Sequence, residues 1–110
     1  MAERLINQPT TLTNTSEIGI CYGSSFQNCT VLSVIFCNNE TDDDGTFDLR
    51  IMDSSDSNAH YYIYKDQPLP SKATFEHTDR IVLNAGDILK VKMGATGNNV
   101  TVVCFYLEQS

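Results

Sequence analysis

The side chains able to do covalent or metal chemistry are few: Cys21, Cys29, Cys37 and Cys104, with His60 and His77. No two cysteines form a C-x-x-C pair, and neither histidine stands at ligand spacing from another candidate, so the pattern does not describe a zinc site. A nucleophilic cysteine needs a neighbouring base to raise its thiolate fraction. No local pattern puts His60 or His77 beside a thiol, so no catalytic residue is assigned and no cofactor or metal is expected. Cys29 and Cys37 lie on one face of one apolar run, about 26 Å apart at ~3.3 Å per residue. That is far beyond the ~7 Å Cα separation a disulfide tolerates. Either could pair with Cys21 or Cys104 on a neighbouring strand, or with another chain. Two readings stay open: buried free thiols acting as small hydrophobes, or oxidation once the protein leaves a reducing cell. On the second, Cys21, on the polar face of its strand, is the best candidate for an intermolecular bond.

Other candidates carry less. Glu40-Thr41-Asp42-Asp43-Asp44-Gly45 spaces carboxylates like the start of a calcium loop. The register fails at Ile51, where an EF-hand places its bidentate glutamate, and the flanks read as strands, so a solvated turn is expected. Four glycosylation sequons begin at Asn14, Asn28, Asn39 and Asn99. The N-terminus lacks the basic flank and apolar core of a signal peptide, so synthesis in a cytosol is expected and the sequons are incidental. Tyr61, Tyr62 and Tyr64 line both faces of one segment, as core on one side and as oligomer contact or sugar platform on the other.

Short strands must position these groups. Alternation is clean in Thr46–Asp53 and in Asp87–Met93, and strands are also read at Glu17–Tyr22, Asn28–Asn38, His60–Lys65, Thr74–Glu76, Arg80–Leu83 and Val100–Glu108. One short strand is read at Arg4–Asn7. Gln67-Pro68-Leu69-Pro70 closes the aromatic strand, because proline cannot continue a central ladder. Asn84-Ala85-Gly86-Asp87 is a tight turn in which Gly86 takes a positive φ. Spacing of 8–12 residues without helical periodicity describes an all-β, single-domain β-sandwich, jelly-roll-like, with about eight strands. Residues 1–16 read as a lead-in and 17–110 as the domain.

Two strands are apolar on both faces. In Asn28–Asn38, Leu32, Val34 and Phe36 oppose Cys29, Val31, Ile35 and Cys37. In Val100–Glu108, Val103, Phe105 and Leu107 oppose Val102, Cys104 and Tyr106. A sandwich strand needs only one buried face, so the second is covered by a loop or by another subunit. For the subunit contact the assigned residues are Val31, Ile35, Tyr62, Tyr64, Val102 and Tyr106. The formal net charge of −7 argues against nucleic acid and against anionic membrane surfaces. No apolar run approaches the ~20 residues of a membrane span.

Three segments in order carry a family resemblance: Tyr62-Ile63-Tyr64-Lys65-Asp66-Gln67-Pro68-Leu69-Pro70, then Arg80–Val91 with its Leu-x-x-Gly-Asp-x-Leu-Lys-Val turn, then Val100–Glu108 ending in an acidic residue. With the opening Thr10–Ser16, they resemble small virion structural proteins of tailed bacteriophages. The resemblance implies a non-enzymatic β-sandwich subunit made in the host cytoplasm and carried on the virion. Such a subunit is a capsid decoration or cement protein, or a neck or tail accessory protein. It also implies a homo-oligomer, a trimer among the arrangements open, docked on major capsid or neck and tail proteins. Four cysteines are more than such proteins usually carry, which points to disulfide-reinforced packing among Cys21, Cys29, Cys37 and Cys104. A carbohydrate- or receptor-binding sandwich is the rival reading.

Overall fold

The computed structural model describes residues 3–23, 28–94 and 99–109. Gly23-Ser24-Ser25 and Gly94–Asn99, which read as turns from their glycine and polar residues, lie largely outside these. Among the described residues nine strands follow one another: β1 (Glu3–Leu12), β2 (Ile18–Tyr22), β3 (Asn28–Asn38), β4 (Gly45–Asp53), β5 (Ala59–Leu69), β6 (Thr74–His77), β7 (Ile81–Leu83), β8 (Ile88–Met93) and β9 (Val100–Gln109). They form two antiparallel sheets. The first runs β1-β9-β3, with β6 and β7 both on the far side of β3; the second runs β2-β8-β4-β5. If β6 and β7 are two pieces of one interrupted strand, each sheet has four strands and the chain crosses repeatedly between them. This is the jelly-roll winding.

The interruption has a local cause. β3 carries a bulge between Val31 and Ser33, with Leu32 as the extra residue. Residues 78–80, the break between β6 and β7, fall opposite this bulge. A bulge moves the side chains beyond it onto the other face. Cys29 and Val31 point into the core before it; Val34, Phe36 and Asn38 do so after it. The two-faced character of β3 is therefore partly a change of face along one strand.

Strand β1 is longer than the Arg4–Asn7 segment expected. It pairs with β9 at ten positions, from Glu3 opposite Gln109 to Leu12 opposite Val100. Residues read as lead-in thus supply an edge strand, and Pro9 is tolerated there because an edge has one unpaired side. Strand β5 likewise runs on through Pro68 to Leu69 at the edge of the second sheet, with two register shifts against β4.

Between the sheets, the Phe36 and Phe47 rings stack 3.9 Å apart, and Phe75 and Tyr64 extend the cluster edge-on. Buried Asn38 is fully used: its amide donates to the Asp43 and Leu69 carbonyls at 3.0 Å, and its oxygen accepts from Glu40 N–H. Together with the bond from Ser71 N–H to the Asp44 carboxylate, this ties the acidic turn to the β5–β6 connection. At the other end Gly86 has φ +86°, as its turn requires, and the Asp87 carboxylate binds Ser54 N–H and Asn84 N–H, both at 3.0 Å.

Candidate assembly interface

The outer faces of the two sheets differ in chemistry. On the first, beyond the terminal Glu3, Gln109 and Asn28 row, cross-strand register sets four rows: Leu5, Leu107, Thr30 and Val82; Asn7, Phe105 and Ser33; Pro9, Val103, Ile35 and Glu76; Thr11, Thr101, Cys37 and Thr74. Glu76 is the only carboxylate in these rows, and they hold no cation. Leu5 is 75% exposed and Val82 59% exposed, large values for aliphatic side chains on strands. Leu32, pushed out by the bulge, joins Leu5, Ile6, Asn7, Phe105 and Tyr106 around a shallow depression of about 250 Å³. Contiguous exposed apolar surface of this kind marks interaction sites on soluble proteins.

The outer face of the second sheet is charged. Arg50 donates two hydrogen bonds to Glu17, at 2.6 and 2.8 Å, and Lys90 Nζ lies 3.7 Å from the same carboxylate. The Arg50 bond holds the Glu17 carboxyl below its ordinary 4.5 despite partial burial. Lys65 Nζ sits 4.5 Å from the centroid of the Tyr62 ring, and Arg50 approaches the same ring at 5.4 Å. Tyr62 also lines a polar depression of about 510 Å³ with Asp48, Lys65, Asp66 and Lys92.

No protein-family model matches the chain, and no curated protein matches it in sequence. Its fold is similar to that of a chain in the acidic stable capsid structure of Helicobacter pylori bacteriophage KHP30, with a TM-score of 0.60 over 99% of each chain. The likeness is one of fold. Identity is 7%, so the two share an architecture and not a set of side chains.

Set on this architecture, the six residues assigned to a subunit contact separate. Val31 and Val102 are fully buried between the sheets and offer no surface to a neighbour. Tyr64 and Tyr106 pack against the core, and Tyr64 OH lies 2.9 Å from His77 Nδ1, so they serve the interior. Tyr62 is on the charged face. Ile35 lies on the apolar face, and Tyr106 also reaches the depression there. Along β9, Val102 and Cys104 turn inward and Tyr106 packs against the core, whereas Val103, Phe105 and Leu107 share the opposite parity. Nothing in an all-apolar strand marks which parity faces the partner sheet. Leu5 and Val82 were missed because each is a single aliphatic residue in a polar or short segment.

The cysteines also depart from expectation. A register shift between Gly19 and Cys21 turns both Ile20 and Cys21 inward. Cys21 is therefore 2% exposed rather than on a polar face, and Tyr22 is the exposed residue. All four thiols are free, with Cys21, Cys29 and Cys104 buried and Cys37 partly exposed on the apolar outer face. His77 is buried and His60 exposed.

Proposed function

We propose that the chain is a non-enzymatic structural subunit of a tailed-phage virion, a capsid decoration protein that stabilises the particle by oligomeric packing. The observation that carries this reading is the segregation of the two outer faces, one apolar and one charged, on a jelly roll. Jelly rolls serve in viral capsids and in lectins, and the fold likeness to a phage-capsid chain supports the first use. The apolar face of the first sheet becomes the docking surface. Ile35 is kept in that role and Leu5, Val82, Val103 and Phe105 join it. A subunit that binds only the assembled shell stabilises it by mass action, and needs no active site to do so. A neck or tail position uses the same surface and differs only in the partner.

The test replaces exposed aliphatic side chains without touching the core. Leu5→Asp with Val82→Asp is expected to leave the thermal midpoint within a few degrees of wild type while abolishing self-association in sedimentation and co-sedimentation with phage particles. Retention of both by the double variant would remove the first sheet from the interface. A rival reading rests on the Tyr62 depression: Tyr62→Ala in a glycan array separates it, since loss of a glycan signal would make this a carbohydrate-binding module.

A further inference from the structure

The Cys21 and Cys29 sulfurs lie 2.8 Å apart in the core, with both side chains buried. That is inside the ~3.5–4.0 Å of ordinary non-bonded heavy-atom contact and outside the ~2.05 Å of a bond. Cys21 lies next to the end of β2 in the second sheet and Cys29 next to the start of β3 in the first, so the pair spans the two layers. Cys104, on β9, is a third buried thiol of this core. Among the described residues no group of three or more cysteine, histidine and carboxylate side chains is placed to hold a metal ion.

We propose that Cys21 and Cys29 form an intramolecular disulfide when the protein meets an oxidising medium, stapling the two sheets, while Cys104 and Cys37 stay as thiols. The oxidant is a low-molecular-weight disulfide of the glutathione class. One cysteine thiolate attacks a sulfur of that disulfide, giving a mixed disulfide and expelling one small thiolate. The other cysteine, deprotonated, attacks the protein-side sulfur and expels the second. Two protein sulfurs are oxidised, one small disulfide is reduced to two thiols, and the two protons pass to the departing thiolates. The inference rests on core geometry and is independent of the virion reading.

The surroundings set how the step proceeds. The Cys21 thiol is pushed up to about 12, chiefly by the neighbouring Cys104 thiol; the contact with Cys29 pulls the other way, and burial adds to the rise. The hydrogen bond with Cys21 and burial push the Cys29 thiol up as well. A folded chain in a reducing cytosol therefore carries little reactive thiolate, and the bridge closes during folding or local opening.

The experiment uses the full chain with Cys37→Ser, which removes the partly exposed thiol from exchange. One sample is refolded from guanidinium with oxidised and reduced glutathione, a second is left folded in oxidised glutathione, and both are denatured and alkylated without reduction. Chymotrypsin cleaves after Tyr22 and Phe26, between the two cysteines, so a bridge shows as linked peptides. The expected result in the refolded sample is a loss of about 2 Da before alkylation, a Cys21–Cys29 link and an alkylated Cys104. A thermal midpoint higher by on the order of 10 °C, reversed by dithiothreitol, should accompany it. Because Cys21→Ala and Cys29→Ala each remove a buried sulfur and so change stability by themselves, each variant is compared with its own reduced form. The reductant-sensitive shift should persist in Cys104→Ala and vanish in the other two. Three alkylated thiols after refolding, a link through Cys104, or a stable glutathione adduct would overturn the proposal.

Discussion

At the scale of single residues, function follows from where the backbone turns a side chain, and two turns show how closely this is held. A Cβ at Gly86 would sit 2.7 Å from Ser54 Oγ and would impose its strain on a φ of +86°. Beside it, buried Asp87 accepts from Ser54 N–H, Ser54 Oγ and Asn84 N–H, joining the β7–β8 turn to the segment after β4. Replacing Asp87 with alanine strands two backbone donors in a partly closed site. Each buried group left unpaired costs about 1–3 kcal/mol, so Asp87→Ala is expected to lose roughly 2–4 kcal/mol in urea unfolding, and Asp87→Asn, which keeps an acceptor, clearly less. Equal stability of wild type and Asp87→Ala would mean that the turn is held by its backbone bonds alone. This turn was legible in the sequence because glycine and aspartate have distinct local chemistry. Cys21 was not, since the register shift that turns it inward leaves no mark in Ile18–Tyr22.

At the scale of strands and sheets, alternation predicts architecture well where one face is polar, as in β4 and β8, and fails where both faces are apolar. Val102 and Val103 are chemically identical; only packing against the second sheet decides which is core. The bulge at Leu32 switches the inward parity of β3, so any contact set drawn along one parity mixes core with surface, as Val31 and Ile35 did. Strand β1 was under-read for the opposite reason, because an edge strand with one face in water can be polar and can hold Pro9. The charged face of the second sheet gives a prediction at this scale. Glu17 lies ahead of β2 and Arg50 in β4, with β8 and Lys90 between them, so their ion pair clips three parts of the sheet together. The Arg50 bond lowers the folded-state pKa of Glu17 below 4.5. The resulting stability is present above the unfolded value and is lost as pH falls through the folded one. Glu17→Gln should therefore cost about 1 kcal/mol at pH 7, and the gap between variant and wild type should close as urea titrations move from pH 5 toward pH 3. A gap unchanged at pH 3 would assign the effect to packing rather than to charge.

For the whole molecule, the proposed assembly has to bring together subunits each carrying −7. Acidic copies repel at long range, which keeps free subunits apart, and a contact forms only where short-range attraction exceeds that repulsion. The first sheet's outer face suits this: its rows from Leu5 to Thr11 hold one carboxylate, and its aliphatic and aromatic side chains gain about 25 cal/mol for each Å² removed from water. The second sheet's outer face would assemble differently, through Arg50, Lys65, Lys90 and Lys92 meeting carboxylates of a neighbour. The two modes respond to salt with opposite sign. Raising ionic strength from 0.01 to 0.15 M shortens the screening length from about 30 to about 8 Å. That weakens the net repulsion opposing an apolar contact and equally weakens the attraction driving an ionic one. Association measured by sedimentation over this range is therefore expected to strengthen with salt and to be lost in Leu5→Asp with Val82→Asp at every salt concentration. Association that weakens with salt would place the contact on the charged sheet, and the apolar face would then need another occupant.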